Sequence, residues 1–599
     1  MKWLLVSIVF SLTMSCFGQK NDYVWIIGGN SVNHLHNGFQ WGTAIANFKQ
    51  DPVSFEFDNR ITMDLSGTNS IVSDNTGKLM MYSNGMYVQN YLHRDIPGLD
   101  TISYSLHWEN FNYHNYLPDG SDWKSGLSGN QWILMLPDPS NASAYYIFHP
   151  YVELSNGPSY LAHFMMSKVI FDDQAGEGRT VFKDSIVSSG IFQWGLTAVR
   201  HGNGRDWWLI HGTKYNLTYD IYLLNPAGIH LHHREDEIYR SFHRNTYEQL
   251  CFSPRGDKLV VAEGLELTDT IRISIYDFDR CSGHLSKNSS KLLTLERYFI
   301  YGSTAFSRDG KYLYYNDGIQ MYQCDMDVHD ILSTEMVVAT YDGSVIEYYD
   351  GKLIFYKMTL GPDGRIYCIP PGNTRSIHTI EYPEEKGAAS TIIQNKIALP
   401  IKNFNSIPNV PYYRLGPFDG SSCDTLGLDN NPVANFRYAQ DTTDALTLRF
   451  TDLSYFRPES WEWDFGDGAY FSGRKPFNHT FPIAGNYKVC LTVKNEISVH
   501  THCRDIIIGT TSSDDVQMLN VNVSLFPNPV EDLFNVNISE YIPSDAKLVL
   551  CDVLGNRLLD KKVFYGQNTI NVHDLPKGVY LYTITENGMN IKDGKIVKL

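Results

Sequence analysis

Phe252-Ser253-Pro254-Arg255-Gly256-Asp257-Lys258-Leu259 returns as Phe306-Ser307-Arg308-Asp309-Gly310-Lys311-Tyr312-Leu313. It returns again, more loosely, as Leu360-Gly361-Pro362-Asp363-Gly364-Arg365-Ile366-Tyr367. The three glycines are spaced 54 residues apart, and Gly204, in Asn203-Gly204-Arg205-Asp206-Trp207-Trp208, lies 52 before Gly256. An earlier copy is Ser73-Asp74-Asn75-Thr76-Gly77-Lys78-Leu79-Met80, and Asn141-Ala142-Ser143-Ala144-Tyr145-Tyr146-Ile147-Phe148 stands between it and Gly204. Each copy has the same physical logic. A glycine or asparagine takes the positive φ that reverses the chain, and aromatic and β-branched residues then build the next strand at period two.

A period of about 53 residues with several strands per unit is the signature of a β-propeller. A tandem array of sandwiches fits less well, because every unit carries its own turn and the spacing is regular. The fold class expected is all-β: a six- or seven-bladed β-propeller over residues 22–415, with Tyr23-Val24-Trp25-Ile26-Ile27 as a returning strand that closes the ring. The turn resembles the Phe-Ser-Pro-Asp-Gly-Lys element of TolB-like and other propeller blades. The region also resembles Bacteroidetes surface proteins with an uncharacterised N-terminal propeller. The matching residues are Ser73-Asp74 through Tyr82-Ser83-Asn84-Gly85, Leu136-Pro137-Asp138-Pro139 to Phe148, and Leu196 to Trp208. That resemblance implies an architecture and no chemistry.

Residues 430–509 form a second unit. Trp461-Glu462-Trp463-Asp464-Phe465-Gly466-Asp467-Gly468 is followed by His479-Thr480-Phe481 and by Gly485-Asn486-Tyr487-Lys488-Val489-Cys490-Leu491-Thr492-Val493. Trp463 and Phe465 alternate with Glu462 and Asp464 on a strand that a Gly-Asp-Gly turn ends, and Tyr487, Val489, Leu491 and Val493 share one apolar face. The unit resembles the PKD domain, an immunoglobulin-like β-sandwich, which implies a spacer or a module that contacts partners or glycans. Asp464 and Asp467 are candidate calcium ligands, but a turn-stabilising role fits the pattern better.

Residues 510–520 are polar and aperiodic, as expected of a linker. Residues 521–599 carry Leu525-Phe526-Pro527-Asn528-Pro529, Leu554-Gly555, Leu575-Pro576-Lys577-Gly578-Val579-Tyr580 and a closing Gly594-Lys595-Ile596-Val597-Lys598-Leu599. Apolar and polar residues alternate around Leu533, Val536 and Ile538 and around Val579, Leu581 and Thr583, which predicts a small β-sandwich. This tail resembles the type A C-terminal sorting domain of the type IX secretion system of Bacteroidetes. The resemblance implies the type IX secretion machinery as a partner, and a protein secreted or anchored at the outer-membrane cell surface.

Other features agree with export. Lys2 and the apolar run Trp3 to Met14 read as a signal peptide over residues 1–18, with Gly18 at the cleavage site. Cys16 gives a rival lipidated reading, but Leu12 lies one position too far upstream for a good lipobox. No later stretch approaches the ~20 apolar residues of a membrane helix. A net charge of −17 with no basic run argues against nucleic acid. Of nine cysteines, eight remain after the signal, enough for 105 pairings. One pair stands out: Cys490 and Cys503 lie on the two arms of an expected hairpin, where facing positions reach disulfide distance.

No metalloprotease, nucleophile-elbow, phosphate-loop or EF-hand pattern occurs, so no catalytic, cofactor or metal residue is assigned. His232-His233-Arg234-Glu235-Asp236-Glu237 is the densest ionisable cluster, read as a solvated inter-strand loop without ligand spacing on a common face. His34 and His36 alternate on a possible strand and read as a surface pair. Asp325, Asp327 and Asp330 are spaced like a partial calcium loop that lacks its glycine and distal glutamate. Trp194, Trp207 and Trp208 suit either a sugar-stacking mouth or blade cores, with packing favoured. Asp184-Ser185-Ile186, Asp269-Thr270-Ile271 and Asp424-Thr425-Leu426 resemble O-glycosylation acceptors. Two functions remain. One is a non-enzymatic surface binding or adhesion protein that takes a glycan or surface-protein ligand on a propeller face. The other is a polysaccharide hydrolase or lyase, which needs paired carboxylates converging on the channel; Asp206, Asp257, Asp309 and Asp363 are candidates, although they sit in repeated turns.

Overall fold

A computed structural model describes residues 19–29, 42–102, 126–127, 130–153, 160–172, 176–190, 192–213, 218–235, 248–265, 270–294, 303–345, 352–441, 443–475, 478–509, 523–538, 546–552, 556–563, 566–586 and 589–599. The signal peptide, the linker 510–520 and the pair His34 and His36 lie outside them. The elements are strands, with 3-10 turns at Ile331–Thr334 and Gly387–Ser390 among the described residues.

Seven antiparallel meanders follow one another before residue 405. The first blade runs from Val24–Gly28 to Phe55–Asp58 and the second from Ser70–Ser73 to Val88–Asn90, each with three strands. Five four-stranded blades follow: Leu134–Asp138 to Arg179–Ser189, Phe192–Arg200 to Gly228–Glu235, Glu248–Phe252 to Leu285–Thr294, Thr304–Phe306 to Met336–Thr340, and Lys357–Leu360 to Ile392–Phe404. Among the described residues the ring therefore has seven blades, the larger of the two expected numbers.

The repeated turns join the first and second strands of blades two and four to seven. Gly77, Gly204, Gly256, Gly310 and Gly364 all have φ between 69° and 81°. Each donates its N–H to the carbonyl three residues back, as Gly256 does to Ser253 at 2.8 Å and Gly310 to Ser307 at 2.8 Å. Glycine is required for two reasons at Gly256. A side chain there would be left-handed, and its Cβ would lie 2.6 Å from Leu415.

Apolar layers between blades hold the ring. Trp25, Phe48, Tyr367, Leu399 and Ile401 join the seventh blade to the first, and Tyr314, Met321, Met358 and Ile366 join the sixth to the seventh. Tyr23 to Ile27 is not the returning strand expected of it. Val24–Gly28 pairs with Thr43–Asn47 in its own sheet and does not return into another blade. It runs antiparallel to Ser70–Ser73, since Asn21 O accepts from Ser73 N–H and Ile26 O accepts from Asn69 Nδ2. The last blade already has four strands. Closure therefore comes from side-chain packing, and from residues 406–415, which leave the last strand and run down the axis.

Residues 436–508 form a two-sheet sandwich around Phe436, Phe450, Trp463, Phe465, Val489, Leu491 and Val493. Cys490 faces Cys503 in register and is bonded to it, with Cα atoms 4.0 Å apart. The last domain, from Val523, is a second sandwich around Phe534, Val536, Ile538, Leu548, Tyr582 and Ile584. The expected alternation is present, with Val536 and Ile538 buried on one strand. Tyr580, Tyr582 and Ile584 point inward, while Val579 and Leu581 are 44% and 47% exposed. A one-residue offset exchanges the two faces of a strand, and the buried tyrosines decide which face is inside.

Candidate functional site: a filled channel and an arginine-rich cleft

The axial segment fills the channel with hydrogen bonds. Asn409 donates its Nδ2 to Ile133 O at 2.9 Å and to Leu196 O at 3.0 Å, and its N–H to Asn69 O at 2.7 Å. Its own carbonyl accepts from Ser70 Oγ, and its Oδ1 from Gln131 Nε2. Gln131 also pairs with both backbone groups of Leu250, and Gln249 accepts from Thr304 N–H while donating toward Met358 O. These amides do between blades what a ladder does within one, because each supplies a donor and an acceptor in the same plane. The remaining cavity is about 90 Å³.

Charge in the channel is satisfied locally. Arg414 makes a two-pronged contact with Asp22, both nearly fully buried. Burial pushes the guanidinium down, but Asp22 together with Tyr23 and Tyr412 offsets it and holds Arg414 above its ordinary value. Among the described residues that line this cavity, Asp22 is the one carboxylate. Lys357 reaches Asn405 O at 3.3 Å, and burial pushes its ammonium down to about 8.

The turn aspartates are tied to their own turns. Asp206 accepts from Asn203 Nδ2 and Arg205, Asp257 from Ser253 Oγ, and Asp309 from Ser307 Oγ and the Lys311 N–H. Asp363 accepts from Arg365 and Tyr367. Asp464 and Asp467 cap the Gly466 and Ala469 N–H groups, and Asp467 also binds His479 at 2.8 Å. Asp325 caps the Asp327 N–H, and Asp327 pairs with Arg255. Trp207 packs edge-on to Tyr413, and Trp208 donates its indole N–H to Arg280 O; both are core residues. The side chain of Trp194 lies outside the described residues. In the glycosylation-like triplets, Ile186 and Leu426 are exposed, while Asp269 lies outside the described residues.

The PKD-like sandwich lies against the end of the ring that carries the repeated turns. Arg308, in one such turn, donates to Asp452 O at 2.9 Å and to Ser454 O. Arg474 answers from the sandwich, reaching Glu384 at 3.3 Å, Asp452 at 3.2 Å and Asp309 at 3.7 Å. Arg437 is buried against Glu381 O, Arg449 lies 3.4 Å over the Tyr382 ring, and Arg504 binds Asp51 at 2.8 Å. A second disulfide, Cys281–Cys423, ties the fifth blade to the strap between the two domains. No local pattern singles this pair out, because its partners lie 142 residues apart. The sandwich is therefore docked, where the sequence suggested a spacer.

Between strap, turns and sandwich lies a cleft of about 550 Å³. Six arginines line it against four aspartates. Arg280, bonded to the carbonyls of Arg200, His201 and Gly416, is held down to about 9, first by burial and then by Arg200. Arg457 is 55% exposed at its side chain and reaches Asp419 at 3.2 Å. Phe456 and Arg457 have φ of 62° and 52°, a left-handed pair without glycine. Such strain persists only where surroundings hold it, and it gathers at functional sites. Half-buried Trp461 completes this wall, and Arg474 lies 5.9 Å over its ring.

The cluster that begins at His232 is not the solvated loop expected of it. Residues 228–235 are the outer strand of the fourth blade, not a loop. A register shift after Ile221 places His232 in a bulge, and a neighbouring-blade residue, His284, joins His233 and Glu235. Burial pushes the Glu235 carboxyl up, but the Leu285 N–H and the two imidazoles outweigh it and hold it below the usual range.

Residues 429–507 match the PKD domain family and residues 524–598 the secretion system C-terminal sorting domain family. Among solved structures, the chain is similar to the PKD1 domain of the Vibrio cholerae metalloprotease PrtV, at 28% identity over 13% of this chain and 99% of that one, TM-score 0.12. It is similar to a putative TolB from Agrobacterium tumefaciens at 11% identity, covering 46% of this chain and 83% of that one, TM-score 0.26. It is also similar to the Nup133 β-propeller domain of Vanderwaltozyma polyspora at 11% identity, covering 53% and 93%, TM-score 0.25. No curated protein matches the chain. The sorting domain marks cargo of the type IX secretion machinery, destined for secretion or the cell surface. No helix among the described residues is long and apolar enough to cross a membrane.

Proposed function

We propose that this exported protein is a non-enzymatic binding protein whose propeller and PKD-like sandwich act as one receptor body. Its ligand sits in the cleft between the ring's turn end and the sandwich. The observation that carries this reading is the arginine wall of the cleft. Six arginines line it, and Arg457, paired with Asp419 but 55% exposed at its side chain, presents its guanidinium beside half-buried Trp461 to an anionic ligand. Trp461 supplies an aromatic wall and Arg457 a planar donor, a pairing that suits a sugar bearing carboxylate or sulfate groups. The filled channel, and the hydrogen bonds already made by the turn aspartates, support a non-enzymatic reading over hydrolysis or elimination.

An array of neutral and acidic glycans, probed with the protein lacking residues 1–18, tests it. Binding should be confined to acidic glycans and should fall at least about tenfold in Arg457→Ala and in Trp461→Ala, a loss of about 1.4 kcal/mol or more. Silence on all acidic glycans, or equal binding by both variants, would overturn the reading. Release of new chain ends from any bound polysaccharide would favour the enzyme instead.

A further inference from the structure

We propose that His233, Glu235 and His284 form a binding site for a divalent transition-metal ion of the zinc class, which clips the fourth blade to the fifth. His233 and Glu235 are two apart on the outer strand Gly228–Glu235, so period two directs both to one face. His284 ends the turn before Leu285–Thr294 in the next blade. One ligand atom from each lies within 4.8 Å of the others.

Both carboxylate–imidazole distances suit a shared ion. Glu235 Oε1 is 3.0 Å from His233 Nε2 and 3.0 Å from His284 Nδ1. With zinc bonds of about 2.05 Å, a 3.0 Å separation corresponds to an angle near 94° at the metal, and a few tenths of an ångström open it to the tetrahedral value. Two imidazoles and a carboxylate are also a recurrent donor set for zinc.

The surroundings hold the ligands. The Leu285 N–H donates to Glu235 Oε1 at 3.1 Å. The His284 turn is closed by Gly283 N–H to Asp279 O at 2.7 Å and anchored by the Cys281–Cys423 disulfide three residues away. His233 Nδ1 lies 2.8 Å from His232 Nδ1. With Nε2 on the metal, Nδ1–H of His233 donates to His232, the second bond that fixes a ligating imidazole's tautomer and ring orientation. His232 is placed there by the bulge.

The test is calorimetric titration of the full chain with Zn²⁺, repeated with Co²⁺ to read ligand-field absorption. We expect one ion per chain and a rise in melting temperature on binding. Removing a ligand should cost more than the ten- to hundredfold lost with an outer-shell partner. His284→Ala and His233→Ala should therefore each weaken binding at least about a hundredfold and abolish the thermal shift, and Glu235→Gln should weaken it about tenfold or more. His230→Ala, on the same strand, should change nothing. His284 is two-thirds exposed, so its loss leaves the apo fold intact, which far-ultraviolet circular dichroism checks. No saturable one-to-one binding by the wild type, or wild-type affinity in the double His233→Ala, His284→Ala chain, would overturn the proposal.

Discussion

His149 and His378 show how single residues set the conditions under which this fold holds. Each is buried, and burial pushes each imidazole down to about 4. His149 Nε2 meets Ser167 Oγ at 3.1 Å, and His378 Nδ1 accepts the Asn395 N–H at 2.9 Å. An accepting nitrogen must keep its lone pair, so charging His378 breaks that bond. The sign follows from linkage. The unfolded chain takes up protons near pH 6.5 and the folded one only near 4, so stability is fully present above 6.5 and drains as pH falls toward 4. The loss is up to about 3 kcal/mol for each histidine at the lower end. Urea unfolding across that window, wild type against the His149→Gln, His378→Gln chain, measures it. The variant should lose much of the acid slope. A variant with the full wild-type slope would show that other groups drive acid sensitivity.

At the level of elements, the Cys490–Cys503 pair lies on the long hairpin of the PKD-like sandwich, at directly opposed positions. In the chain-entropy account, closing a loop of this length contributes about 3 kcal/mol. Cys490→Ser with Cys503→Ser should therefore lower the sandwich's stability by about 2–4 kcal/mol, read by denaturant titration with tryptophan fluorescence. No change in midpoint would mean that the ladder alone holds the hairpin. This pair was legible in the sequence because both cysteines flank one local turn. The repeated blade turns were legible for the same reason, since a positive-φ glycine and its flanking strands are encoded within eight residues. Cys281–Cys423, Asn409 in the channel and His284 beside Glu235 were not, because each partnership joins segments that only the closed ring brings together. The alternation around Val579 was legible, but which face is buried was not, because Tyr580 and Tyr582 rather than Val579 and Leu581 fill that core.

Across the whole molecule, propeller and sandwich behave as one body in this structure. The strap carries Asn409 through the axis, passes the Cys281–Cys423 bond, and enters a sandwich whose Arg474 and Asp452 engage Arg308, Asp309 and Glu384 of the ring. Burial pushes the Glu384 carboxyl up, with Arg474 opposing it, so loss of the arginine leaves an acid without its main counter-charge. Surface ion pairs contribute little, but breaking a buried one is costly, as is orphaning a carbonyl that accepted from a charged donor. Arg308→Ala with Arg474→Ala should therefore weaken the docked state by about 3–5 kcal/mol. Differential scanning calorimetry of the chain lacking residues 1–18 gives the readout. In the wild type, propeller and PKD-like sandwich should melt in one transition, separate from that of the sorting domain beyond the linker. In the double variant that transition should split, with the sandwich melting first while the Cys490–Cys503 bond keeps it folded on its own at lower temperature. Adding Cys281→Ser with Cys423→Ser should widen the split by releasing the strap while leaving the Cys490–Cys503 bond intact. Separate propeller and sandwich transitions already present in the wild type would show that the interface does not couple them, and the cleft between them would then lack the fixed walls that a receptor site needs.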